Sequence, residues 1–575
     1  MELNQLRGIK LQEYRTINDL STSLKNELTK NASFFSNFDG KSLDEQQRIA
    51  CILNDCDLEI IAGAGTGKTQ TLVAKSSYLI EYKNIKASEI LCLSFSKSSA
   101  KDLKKRLKYS IETKTIHALG LSIIKKRDEK GIIEEYGFKN IFKEYLDDAS
   151  QKQLDDIKDF CENYLANVAT KIKLNELDRE EEKLNFLISK TSFVKRVWGF
   201  IDLFKGKDND IQDLKTLLSN CKKDYNKKPN INTLENINFL NIVDPIFRFY
   251  QRFLSRNHLI DFNDMINNAI KQVEEHGINK NYKYIFVDEY QDMSYKNFQL
   301  VKTIKDNLNA NLVVVGDDWQ SIYGFRDSDL KLFTKFTTFF PNANKVFIEQ
   351  TYRGPQQLID SAGKFIMKNK KLFNKSLKSN ISIKKPIKIV YHSLTSEKVN
   401  KNVYNLIYNL SKQGKVLILG RHNSDINDFL ANTNLVKKGR SKNYKKITDK
   451  RENIKKVTYR TIHNAKGLES DYVIIIRVID DFVGFPNQIP PASYMHLIHD
   501  WTLDDKLEEE RRLFYVALTR AKKGVYIFTT RGIESEYITE LKKDSSNNIE
   551  IIYTDDKNTY SHLKEFKMAP KNKVR

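Results

Sequence analysis

The chain has 575 residues, 40% hydrophobic and 30% charged, which is too long for one core and enough for roughly three to four domains. Lysine and arginine number 96 against 74 aspartates and glutamates, a net charge of +22, and such a surface favours a polyanionic partner by gathering phosphates and releasing their counterions. No apolar run approaches the ~18 residues of a membrane span, and the opening MELNQLRGIK lacks an apolar signal core, so the expectation is a cytoplasmic protein with no membrane partner.

Residues 1–40 read as a polar, helical N-terminal extension. Residues 57–62 (DLEIIA) then read as a buried strand, followed by a Gly-rich turn and a helix. The segments 89–95 (EILCLSF), 283–288 (KYIFVD) and 312–315 (LVVV) are continuously apolar, as parallel strands covered on both faces must be. They assemble a first ATP-binding α/β domain from residues 41–120 and 251–349. Between 121 and 250 the chain is long, charged and helical in period, a helical insertion within that domain. A second α/β domain is expected over 350–545, with strands at 385–391, 415–420, 456–463, 471–478 and 524–530. Residues 546–575, ending in KMAPKNKVR, read as a basic, disordered tail. The cysteines at 51, 56, 92, 161 and 221 form no CxxC pair, which argues against a zinc or iron–sulfur site and for reduced thiols.

Two motifs carry chemistry on their own terms. Ala62, Gly63, Ala64, Gly65, Thr66, Gly67, Lys68 and Thr69 follow a strand and open a helix, the context that a phosphate-binding loop requires. The glycines let successive backbone N–H groups turn onto a triphosphate, and the helix N-terminus adds its dipole. Lys68 would reach the β- and γ-phosphates of ATP, and Thr69 would offer its hydroxyl to Mg²⁺. Asp288 and Glu289 stand at the end of the strand KYIFVD. Asp288 is suited to hold Mg²⁺, and Glu289 to polarise the attacking water.

The ordered series SLDEQQRIA (42–50), LCLSFSKSSAKDLKKRL (91–107), TIHALG (115–120), VDEYQD (287–292), VVGDDWQSIYGFR (314–326), EQTYRG (349–354), TIHNAKGLESDYVII (461–475) and EEERRLFYVALTRAK (508–522) resembles the motif series of UvrD/Rep-like superfamily 1 DNA helicases. It is most similar to the DNA helicase IV pattern. The resemblance spans residues 41–530 and implies two RecA-like parallel-sheet domains, with a helical insertion in the first and no large insertion in the second. It also implies roles. Gln46 would read the adenine edge and Tyr352 would stack on its face. Gln320 would sense the γ-phosphate and couple it to DNA, with Arg326 near the same phosphate. Arg353 and Arg520 would act as arginine fingers from the second domain, and Gly467 and Glu469 would link that domain to ribose and DNA. Phe95, His117, Tyr323, Phe325 and His463 are the implied single-strand contacts, where aromatic faces stack on bases without sequence preference. Phe325 stands where nearer UvrD/Rep members have Trp.

Residues 354–460 leave no room for the large regulatory subdomain that UvrD and Rep carry there, so its autoinhibitory swing does not transfer. Residues 1–40 are likewise too short for the N-terminal domain of the helicase IV pattern. The implied activity is a 3′-to-5′ DNA helicase and translocase on single-stranded and tailed duplex DNA, in repair, recombination or replication. Two alternatives stand beside it. One is a translocating ATPase serving a partner nuclease in anti-phage defence, or a repair protein. The other is a non-enzymatic nucleic-acid scaffold, which would have no use for Lys68, Asp288, Glu289, Arg353 and Arg520 together.

Overall fold

The computed structural model describes residues 12–124, 131–133, 135–392, 397–430, 435–439, 444–449, 454–499 and 501–554. Two parallel-sheet α/β domains hold the chain together, as the α/β reading of the sequence requires. The first sheet is built from β1 (Glu13–Tyr14), β2 (Leu58–Ala62), β3 (Ile90–Ser94), β4 (Glu112–Thr115), β5 (Tyr284–Val287), β6 (Asn311–Gly316) and β7 (Asn344–Ile348), in the order β1-β7-β2-β6-β5-β3-β4. All its ladders are parallel. Strands β2, β3, β5 and β6 are buried nearly throughout, which is why they read as apolar runs.

The second sheet contains β8 (Ile387–Tyr391), β9 (Val416–Gly420), β10 (Leu435–Lys438), β11 (Lys445–Asp449), β12 (Val457–Thr461), β13 (Ser470–Ile475), β14 (Ala521–Thr529) and β15 (Ile549–Tyr553). Its order is β10-β11-β12-β9-β13-β14-β8-β15, and only the β10–β11 and β11–β12 ladders are antiparallel. Phosphate-binding loops and switch points of such sheets lie at the carboxyl ends of the strands, and the carboxyl ends of β2, β5 and β6 carry the site described below.

Two sequence expectations need correction at the termini. Residues 12–40 are not an appended extension. Glu13 and Tyr14 pair with Lys345 and Val346 at the sheet edge, and Leu20, Leu28, Phe35 and Phe38 are buried in the same core as Leu58 and Ile60. The Arg15 guanidinium lies 3.5 Å from the Phe347 ring centroid. A two-residue strand leaves no periodicity to read. At the other end, the tail does not begin at 546, because β15 pairs with β8 and extends the second sheet. The remainder of the expected tail, 555–575, lies outside the described residues.

Helices fill most of the stretch from Glu135 to Arg256, around a core of Phe138, Phe142, Phe160, Phe200 and Phe239. A short parallel ladder, Gly131–Ile133 with Leu259–Asp261, ties the entry and exit of this insertion together. A strap from the second domain also reaches it. Tyr494 stacks on Phe239 with centroids 3.6 Å apart, and Ser493 Oγ donates to Glu235 Oε2 at 2.9 Å. Among the described residues no helix is long and apolar enough to cross a membrane. All five cysteines are free thiols.

One buried charge makes the first core sensitive to pH. Glu59 of β2 is fully buried, with Lys345 of β7 3.4 Å away. Burial pushes its carboxyl from the ordinary 4.5 up to about 8, although Lys345 opposes the shift. Between those values the folded chain keeps a proton that the unfolded chain releases, so this group makes stability fall as pH rises through the window. Glu59→Gln copies the shape of the neutral form. It is expected to unfold at a higher temperature than wild type at pH 8 and at nearly the same temperature at pH 5. Thermal melts at the two pH values check this, and an identical offset at both contradicts it.

Candidate functional site

The loop after β2 turns because two glycines take left-handed backbone angles, Gly65 at φ +77° and Gly67 at φ +83°. Space is equally tight: a Cβ on Gly65 would stand 2.5 Å from Arg353 Cβ and 2.9 Å from Thr351 Oγ1. The segment 351–353 is docked on the loop, with Thr351 Oγ1 donating to the Ala64 carbonyl at 2.7 Å and the Tyr352 N–H to the Gly65 carbonyl at 3.0 Å. Ala62, Gly63 and Thr66 complete the loop, with Thr66 Oγ1 donating to the Gly63 carbonyl at 3.0 Å. The helix Lys68–Tyr82 starts here with its free N–H groups towards the loop. Lys68 Nζ lies 3.5 Å from the Gly63 carbonyl and 3.9 Å from Asp317 Oδ2.

The carboxylates expected beside it are in place. Thr69 Oγ1 donates to Asp288 Oδ2 at 3.1 Å. Glu289 has a left-handed backbone, φ +56°, and its Oε2 accepts from Gln291 Nε2 at 2.6 Å. Burial, then the neighbouring Glu289, pushes Asp288 up to about 7. Burial also works against ionisation of Glu289, but Lys68 and Lys466 outweigh it and hold that carboxyl below its usual range. Thr69 and Asp288 present two hard oxygens side by side in a buried spot. That donor set suits Mg²⁺, which takes one or two protein oxygens and the rest from phosphate and water. No group of three or more His, Cys, Asp or Glu side chains among the described residues could hold a metal unaided.

Of the two arginines, Arg353 stands against the loop and Arg520 comes from the other side of the cleft. Arg520 follows the helix Leu503–Leu518 and is 1% exposed. Its Nη2 donates to Gln320 Oε1 at 2.7 Å, and Gln320 Nε2 donates to Asp317 Oδ2, the carboxylate facing Lys68. Burial, and after it Arg353, lowers Arg520 to about 9. Arg353 donates to the Thr519 carbonyl at 3.4 Å and pairs with Glu469 at 3.3 Å; Glu469 also pairs with Lys522. Gly467 has φ +78°. Lys68, Asp317, Gln320 and Arg520 thus form one contiguous series spanning both domains, and Thr519 joins Arg353 to Arg520.

The remaining expected residues of this side have protein partners. Each end of the Gln46 amide holds one backbone group: Nε2 donates to the Arg15 carbonyl at 2.9 Å, and Oε1 accepts from the Glu349 N–H at 2.7 Å. Its neighbour Gln47 touches the loop instead, with Nε2 3.1 Å from the Thr66 carbonyl. Tyr352 is 53% exposed and donates to Asp44 Oδ2 at 3.1 Å. The guanidinium of Arg326, the residue expected near the γ-phosphate, lies over Phe325 and Tyr323, 5.5 and 5.9 Å from their centroids. The turn at Gly324–Arg326 carries it to the aromatic side.

Those rings form a cluster. Phe95 stacks on Tyr323 at 5.5 Å and 15°, and Phe325 meets His463 edge-on at 5.4 Å. Tyr323 also donates to the His463 carbonyl at 3.2 Å, which joins the domains again. Burial, then Arg421, drives His463 down to about 3, so its ring is neutral near pH 7. His117 stands apart, its ring against Phe262 at 5.0 Å.

Sequence reading missed two buried lysines. Lys375 is fully buried, 2.5 Å from Asp317 and 2.7 Å from Asp318, with Trp319 beneath it at 4.4 Å. Lys466 is held by Asp292. In a chain with so many lysines, nothing in KNKKLFNKSLK marks position 375.

Residues 43–341 match the UvrD/REP helicase N-terminal domain, and residues 426–532 match the UvrD-like helicase C-terminal domain. DNA helicase IV of Escherichia coli (strain K12) is 25% identical over 533 residues, covering 90% of this chain and 72% of that protein. ATP-dependent DNA helicase PcrA of Staphylococcus epidermidis (strain ATCC 12228 / FDA PCI 1200) and of Staphylococcus aureus (strain NCTC 8325 / PS 47) are each 29% identical over 342 residues. Each of those matches covers 57% of this chain and 40% of the relative. The first domain match covers more than half of the chain, and its two domain matches fall on the two sheets whose facing ends build the cleft: the chain belongs to the UvrD/Rep helicase family.

Proposed function

We propose that the chain is an ATP-driven DNA motor that moves 3′ to 5′ along a single strand and displaces the complementary one. The observation that carries this reading is the contact series Lys68–Asp317–Gln320–Arg520, which runs from the phosphate-binding loop to the second domain. In this scheme the loop N–H groups and Lys68 bind the β- and γ-phosphates. Thr69 and Asp288 would hold Mg²⁺, which neutralises phosphate charge when bound. Glu289 accepts a proton from the attacking water at a carboxylate oxygen, while Arg353 and Arg520 offset charge on the transferring phosphoryl group. Tyr352 serves the adenine face. Gln46 keeps a second Nε2 N–H and a second Oε1 lone pair for the adenine edge while it holds the backbone of Arg15 and Glu349. Because the arginines belong to the second domain, hydrolysis needs the cleft closed, and cleft motion repositions the strand.

Phe95, Tyr323, Phe325 and His463 provide the stacking surface for DNA, with Arg326 above it. Each stacked base contributes about 1–3 kcal/mol. Tyr323→Ala is therefore expected to weaken single-strand binding by about 5- to 150-fold, as read by anisotropy of a labelled oligonucleotide. An unchanged Kd contradicts the assignment.

The test of the whole reading is strand displacement with ATP on duplexes tailed at one end. Release from a 3′-tailed but not a 5′-tailed duplex supports it. Release from the 5′-tailed duplex alone overturns the polarity, and hydrolysis without displacement favours a translocase that acts with a partner.

A further inference from the structure

Strand β1 brings one charged side chain against the nucleotide end of the first sheet. Glu13 and Tyr14 make a ladder of only two residues with β7, and the chain leaves it through Arg15. The Arg15 side chain supplies a hold that so short a ladder lacks. Its Nη1 pairs with Glu349 Oε1 at 3.0 Å, its Nη2 donates to the Asn374 carbonyl at 3.3 Å, and its guanidinium lies on the Phe347 ring. Glu349 Oε1 also accepts from the Ser376 N–H at 2.6 Å.

Gln46 sits inside this frame. Its Nε2 donates to the Arg15 carbonyl and its Oε1 accepts from the Glu349 N–H, so both members of the ion pair offer their backbone to one amide. The two ends of a glutamine amide are nearly the same in shape, and their partners decide which way the group faces. The Arg15 carbonyl needs the NH₂ end, and the Glu349 N–H needs the oxygen. A flipped amide would set oxygen against oxygen and N–H against N–H. Asp44 caps the helix Glu45–Ile52 that carries Gln46 and accepts from the Tyr352 hydroxyl, which ties the amide and the ring assigned to the base face into one unit.

We infer that Arg15 is a positioning residue that sets base selectivity, by locking the Gln46 amide in the one orientation that adenine accepts. One N–H and one lone pair of that amide remain, a donor beside an acceptor. Adenine offers the complement, the N7 acceptor beside the N6 donor, whereas guanine offers two acceptors, N7 and O6. A flipped amide loses both bonds to adenine. Against guanine, either orientation makes one bond and leaves one clash between lone pairs, so guanine gains nothing from the lock. Loosening it weakens ATP and leaves GTP nearly unchanged.

This role presupposes ATP as the fuel of the motor proposed above. It is tested by equilibrium competition on the full chain, in which ATP or GTP displaces fluorescently labelled ADP from wild type and from Arg15→Ala, with steady-state hydrolysis measured on the same preparations. Wild type is expected to prefer ATP. Arg15→Ala should lose about 5- to 150-fold of that preference, the range of one bidentate base contact, through weaker ATP binding alone, with GTP affinity within about twofold of wild type. KM for ATP should rise while kcat at saturating ATP stays within about twofold, because the groups around the phosphates are untouched. Should Arg15→Ala fail to fold, Glu349→Gln, which removes the ion pair and keeps the backbone N–H, is measured in its place with the same expectation. Equal losses for ATP and GTP overturn the inference, as does a wild type that binds the two equally. A wild type that hydrolyses neither nucleotide removes the motor reading itself. A wild type that prefers ATP and an Arg15→Ala that prefers it equally remove only the role of Arg15.

Discussion

Arg520→Ala is expected to lower kcat for ATP hydrolysis by about a thousandfold or more, the range over which arginine fingers act on phosphoryl transfer. KM for ATP should change far less, because in the proposed scheme the loop and Lys68 bind the phosphates without it. The argument is one of placement. Arg520 is 1% exposed and is held by the Val516 carbonyl at 2.9 Å, the Leu468 carbonyl at 3.3 Å and Gln320 Oε1 at 2.7 Å. A guanidinium so fixed needs little reorganisation when charge develops on a nearby phosphoryl group, which is where electrostatic stabilisation is strongest. Arg520→Lys should recover little, since lysine cannot satisfy three divergent acceptors with a planar fork. Single-turnover and steady-state kinetics on the same preparation separate the terms. A KM increase as large as the kcat loss contradicts a role confined to the transition state.

Glu289→Gln is the second large effect, expected to reduce kcat by about 10²- to 10⁴-fold with nucleotide affinity retained. The substitution keeps the size of the side chain and removes only the proton acceptor. Glu289 is suited to that task because Lys68 and Lys466 keep it ionised in spite of burial, whereas Asp288 beside it is pushed up. Two adjacent carboxylates in different surroundings can take different roles. Equilibrium binding of a labelled nucleotide should be within a few-fold of wild type. Near-normal turnover by Glu289→Gln would remove Glu289 from the proton-accepting role.

What the sequence made legible follows from burial. DLEIIA, EILCLSF, KYIFVD and LVVV are covered on both faces, so their strands stand out from their surroundings. The loop at 62–69 is legible because few residues tolerate its turns, and Asp288 and Glu289 because a strand end places them beside it. Strand β4, with the sequence ETKT, was not legible because polar residues occupy an only half-buried strand near the sheet edge. The strap carrying Tyr494 reads as loop, since what makes it structural is an aromatic partner in the helical insertion. The place of Arg326 over Phe325 and Tyr323 was not legible for a similar reason: a single turn sets it, and one sequence holds no distance. The bonds of Gln46 to the backbone of Arg15 and Glu349 were not legible either, because those partners are remote in the chain. Lys375 and Lys466 are functional in appearance only once their aspartates are seen around them.

The most direct test of the central claim, that nucleotide cleavage between two domains of one chain is tied to a nucleic-acid strand, is the ATP hydrolysis rate of the intact protein titrated with single-stranded DNA. The account predicts a saturable rise of about tenfold or more that vanishes in Lys68→Ala. A rate indifferent to DNA, or one that survives Lys68→Ala, would contradict it.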